Sequence, residues 1–238
     1  DLGYIAAEYR YSMMPDYIYP ERNRTFAKTL VSTGTNYEGI HTMENSAYEF
    51  HDEAWGDLLI ISFEFAPRDE ALDWARQLID SERFKNHKVI ILTHSFLATN
   101  GNRIVEEGYK LTPRNWAQAV WEKLIYPSKN IKMVLCGHTG NPPKIRKGEE
   151  VDYHMTTSYR VDKAADGHEV VQMMFNSQNG DGSWNGNGGD CWLRILEFKP
   201  DGKTIGVRTF SPLFALSRHT QHLAWRTAEY DQYTITIE

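Results

Sequence analysis

The sequence predicts a mixed α/β (α+β) fold: a two-sheet β-sandwich flanked by helices, formed as one domain over residues 1–238. Two patterns predict it. In the middle of the chain, short continuous apolar runs alternate with amphipathic helical segments, as in neighbouring parallel strands joined by helical crossovers. In the last third, strand-like runs follow one another with turns rather than helices between them, as in an antiparallel sheet. No internal repeat or low-complexity linker divides the chain.

Residues 1–48 are polar and aromatic with weak periodicity. Met13, Met14, Pro15, Tyr17, Tyr19 and Pro20 predict an irregular packed segment there. Residues 57–63 (DLLIISF) form a short apolar run that suits a buried strand. Pro67 and the acidic pair Asp69 and Glu70 then favour a helix start. Ala71, Leu72, Ala75, Leu78 and Ile79 give that helix its apolar face. Residues 88–93 (KVIILT) are a second buried strand. After a loop with Gly101 and Gly108, Thr112 and Pro113 read as a cap and first turn. Trp116, Ala117, Val120, Trp121 and Leu124 face the core, and Pro127 stops the helix. A third strand follows at 130–136 (NIKMVLC). Residues 170–175, 191–198, 204–210 and 233–237 read as the closing strands, with a turn at Pro200, Asp201 and Gly202.

Composition narrows the function classes. The chain is 41% hydrophobic and 24% charged, which excludes global disorder. Its net charge of -6 argues against broad nucleic-acid binding. Its apolar runs are far shorter than the roughly 20 residues a membrane-spanning helix needs. Two cysteines, Cys136 and Cys191, exclude a disulfide scaffold and a cysteine-rich zinc module.

Two strand ends carry histidine. The second strand runs into Thr93-His94-Ser95, and the third into Gly137-His138-Thr139-Gly140. Ligands of open α/β sheets bind beyond the carboxyl ends of the strands, and neutral imidazole is a common metal ligand. The plainer alternative is two polar residues ending two strands, hydrogen-bonded to backbone.

The segments THSF and CGHTG resemble the last two motifs of the calcineurin-like metallophosphoesterases, a lone His after a strand and a Gly-His-x-His. FEFAPRDEALDWARQLID followed by KVIILTHSF is similar to that family's strand, helix and strand before the lone His. The resemblance covers residues 45–140 and continues loosely to the terminal strands. It implies an αββα fold. It also implies divalent metal ions, two in the family, that activate a shared water for in-line attack on a phosphate mono- or diester. His94 and His138 match the two histidines that ligate one ion. Two departures stand out. Gly140 occupies the place of the second Gly-His-x-His histidine, and no Asp-x-His, Gly-Asp or Gly-Asn-His motif precedes His94. On this reading Asp1-Leu2-Gly3 follows directly on a Gly-Asn-His, the chain is the C-terminal portion of the domain, and these 238 residues alone have weak or no catalysis.

The resemblance implies a small phosphorylated substrate. The glycine-rich segment 179–190 reads as a loop. Its sharper reading is a lid, with Trp184 stacking on a substrate ring and Gln178 contacting substrate. Its oxygen side chains do not complete a helix-loop-helix calcium site. Cys136 two residues before His138 could form a thiolate-imidazole pair, but a buried core cysteine is the simpler reading. Ser95 lacks the glycine-flanked setting of a nucleophile elbow. Two rival classes remain: a non-catalytic metallophosphoesterase-like binding or scaffold module, and a sheet-rich carbohydrate-binding module suggested by the 13% aromatic content.

Overall fold

The computed structural model describes residues 10, 12–19, 22, 26–140, 154–176 and 189–237. They form two sheets. The larger contains β1 (Leu30–Thr35), β2 (His41–Asp52), β3 (Gly56–Ser62), β4 (Lys88–Leu92), β5 (Ile131–Cys136), β6 (Thr157–Lys163) and β7 (Glu169–Phe175), in the order β1-β2-β3-β4-β5-β7-β6. Strands β3, β4, β5 and β7 run parallel, while β1, β2 and β6 add antiparallel flanks. The smaller sheet is antiparallel, with β9 (Thr204–Phe210) pairing to β8 (Leu193–Phe198), β10 (Trp225–Arg226) and β11 (Tyr233–Thr236).

Alternation along the central strands sets the layers. Leu59, Ile61, Val89, Ile91 and Val134 face helices α1 (Asp69–Ile79) and α2 (Ala117–Val120), the latter continuing as a π-helical stretch Trp121–Ile125. Leu58, Ile60, Ile90, Met133, Val171 and Met173 face the smaller sheet, where Ile205, Val207, Ile235 and Ile237 meet them. Strands β3, β4 and β5 are thus covered on both faces, which is why each reads as an unbroken apolar run.

Four expectations change. Residues 30–35 and 41–52 form a β-hairpin rather than irregular structure. Its inward residues are partly polar: Asn45 is fully buried, accepts a hydrogen bond from Glu64 N at 3.1 Å and donates to Thr35 O at 3.3 Å. Residues 170–175 belong to β7, parallel to β5, and not to the terminal sheet. The strand β6 was not expected. Lastly, Thr112 and Pro113 do not open the second helix, which starts at Ala117 after an extended Trp116. Asn115 explains this. Its N–H and its side-chain amide both donate to Pro67 O, at 3.0 and 2.9 Å, and the amide also donates to Asp69 Oδ1 at 2.9 Å. Those bonds pull the segment off a helical path and tie it to the start of α1.

Candidate functional site: two histidines at the carboxyl edge of the parallel sheet

His94 and His138 each lie two residues beyond the end of their strand, β4 and β5. The strands are parallel neighbours with Leu92 opposite Leu135. Their pairing continues past the regular ladder, with Thr93 N donating to Leu135 O and Gly137 N to His94 O, both at 3.0 Å. That continuation sets the two imidazoles side by side, ring centroids 4.6 Å apart and planes 48° apart. The expected juxtaposition is present.

The turn that carries His138 is strained and held from several sides. His138 has φ +65°, a left-handed conformation that costs a non-glycine residue about 1 kcal/mol or more. Thr139 Oγ1 donates to Leu97 O at 2.6 Å, and Asn176 Nδ2 donates to His138 O at 3.0 Å. Gly140 has a steric reason here. A Cβ at that position would fall 2.8 Å from Asn176 Nδ2. A histidine at 140 would displace the amide that secures His138.

Glu107 completes the cluster, and sequence reading missed it. It reaches in from the long connection between β4 and α2. His138 Nε2 donates to its Oε2 at 2.9 Å, and the Ser95 hydroxyl donates to its Oε1. Its side chain is only 12% exposed. Burial pushes the Glu107 carboxyl up, but the hydrogen bonds from His138 and Ser95 and the nearby histidine charges outweigh it and hold the group below the usual range. His94 keeps an exposed face. Burial of the rest of its ring, with His138 beside it, pushes its pKa down and favours the neutral imidazole. Phe65 packs edge-on to His94 at 5.4 Å and touches the rings of His138, Tyr109 and Trp116, forming an aromatic wall. Cys136 takes no part. Burial pushes its thiol up to about 12, and its Sγ accepts from Leu97 N at 3.4 Å.

The donor set fits a divalent metal ion only in part. Two imidazoles stand together, yet Glu107 engages Nε2 of one of them. Among the described residues no group of three or more His, Cys, Asp or Glu side chains is arranged to hold a metal ion. Catalytic metal sites generally need at least three protein ligands. Gln178, Trp184 and Asp1-Leu2-Gly3 lie outside the described residues. The residue that does reach the site from the end of β7 is Asn176, two positions before Gln178. Its signal in the sequence was a polar side chain closing an apolar strand.

No family model matches the chain. It is 24% identical over 180 residues to the uncharacterized protein YvnB of Bacillus subtilis (strain 168), a match covering 74% of this chain and 12% of that one. A solved structure described as "Putative 5'-Nucleotidase from Staphylococcus aureus in complex with alpha-ketoglutarate" is similar at 15% identity and a TM-score of 0.31, over 65% of this chain and 32% of that chain. The chain therefore spans well under half the length of either relative.

Proposed function

We propose that this chain carries part of the active site of a metal-dependent phosphoesterase, which hydrolyses a mono- or diester of a small phosphorylated substrate. One observation carries the reading: His94 and His138 stand 4.6 Å apart at the ends of adjacent parallel strands, where the motif pattern expects a shared ion. In this reading both histidines hold the same divalent ion, and its other ligands come from outside the described residues. Bound cations would also let a chain of net charge -6 accept an anion.

Metal analysis and turnover of p-nitrophenyl phosphate and its bis-ester by the full-length protein test it. About two divalent ions per chain are expected, with activity lost in chelator. His94→Ala and His138→Ala should each lower the metal content. A full-length protein with neither metal nor turnover would overturn the proposal, and full occupancy in both variants would remove the ligand assignment.

The contact between Glu107 and His138 favours a second reading, a binding or scaffold module without a complete metal centre. In that case the histidines are structural, and both variants lose stability without any change in metal content.

A further inference from the structure

A groove of about 400 Å³ opens where the turn after β4 meets β6 and the segment entering β11, within the size range of small-ligand pockets. Its walls come from both sheets. Tyr159 and Ser158 stand on β6, Tyr233 on β11, with Tyr230 and Glu229 just before it and Asn100 on the turn after β4. We propose that this groove binds a neutral saccharide ring.

Three features point to that ligand class. First, the lining combines tyrosine rings with hydroxyl, amide and carboxylate groups and the imidazole of His154, and among the described residues it contains no lysine or arginine. Among the described residues it presents no ammonium or guanidinium to pair with a phosphate, whereas polyol hydroxyls can donate to Glu229 and exchange hydrogen bonds with the neutral groups. Second, the Tyr159 and Tyr233 rings meet at 74°, centroids 5.8 Å apart. That corner gives no parallel slot for a flat base. A puckered ring can lay its C–H face on one tyrosine and its rim on the other. Third, Tyr159 is 44% exposed and its ring is accessible from solvent.

The proposal does not depend on the phosphoesterase reading. If that reading also holds, the saccharide is the alcohol half of the ester. The groove and the histidines are joined by a short path: Asn176 donates through its backbone N to Thr156 O at 2.9 Å and through Nδ2 to His138 O at 3.0 Å.

Saturation-transfer NMR and calorimetry with glucose, galactose, N-acetylglucosamine, maltose and cellobiose test the proposal, with adenosine as comparator. The protein is measured with and without chelator, so that loss of metal and loss of the groove are separable. At least one saccharide should bind equally in both conditions. Tyr159→Ala should weaken binding about tenfold, while Tyr159→Phe, which keeps the ring, should retain it. Circular dichroism would show both variants folded. No saccharide binding, equal binding by Tyr159→Ala, or binding of adenosine alone would each overturn the proposal.

Discussion

Asp231 is the residue whose loss should be felt furthest. Its side chain is 2% exposed and lies between Arg194 and Arg226, themselves 5% and 6% exposed. Arg226 meets both carboxylate oxygens, Nε to Oδ2 and Nη2 to Oδ1, each at 2.8 Å, and Arg194 Nη2 reaches Oδ1 at 3.1 Å. Replacing Asp231 with Asn keeps the shape and removes the charge, leaving two guanidinium groups buried together. Breaking a buried ion pair from one side costs about 3–5 kcal/mol, against about 5–15 kcal/mol of total stability for a typical domain. For a chain of this size that is a fall in Tm of roughly 6–20 °C. Urea and thermal unfolding of Asp231→Asn beside the parent protein measure it. A loss below about 1 kcal/mol, the range of exposed pairs, would show that water or rearrangement already screens these charges and would refute the reasoning.

Two further outcomes are expected. Asp162 is held below the usual carboxylate range first by its hydrogen bond from Arg160, against burial, and then by Gln172 and Arg103. A depressed pKa contributes stability that is complete above the unfolded value and is lost as pH falls through the folded one. The urea midpoint of the parent should therefore drop between about pH 5 and pH 2 more steeply than that of Asp162→Asn, and parallel curves would contradict the assignment. Gly140→Ala should push the Asn176 amide off His138 O and cost about 1–2 kcal/mol, with a shifted His138 ring signal by NMR. An unmoved signal and an unchanged urea midpoint would show that the turn relaxes without cost.

What could be read from the sequence followed from which faces are dry. Strands β3, β4 and β5 are buried on both sides and announce themselves as LLII, VIIL and KMVLC. The β1–β2 hairpin and β6 are hidden because their inward positions are polar. Asn45 caps backbone groups of the next segment, while Arg160 and Asp162 join Arg103 and Gln172 in a network on the helix side of the sheet. Such residues satisfy each other in three dimensions, so they break the alternation that would mark a strand. The histidines were legible because they end strands, and strand ends have a fixed place in a parallel sheet. Glu107 was not, because a loop residue arrives by a path that periodicity does not encode.

The smaller sheet does more than cover one face of the core. Arg226, locked by Asp231, donates from Nη2 to Thr156 Oγ1 at 3.2 Å, just where β6 begins. Thr156 O in turn accepts from Asn176, and Asn176 holds the backbone of His138. A continuous set of hydrogen bonds thus runs from the buried charges of the second sheet to the left-handed turn at the candidate site, passing beside the tyrosine groove. The strain at His138 persists because both ends of this path are fixed, one by an ion pair with almost no access to water and the other by the paired strands β4 and β5. Anything that loosens the Asp231 cluster should therefore loosen the groove, where Arg194 donates to Tyr230 O and Tyr233 Oη, and through the hydrogen-bond path the more distant histidine turn as well.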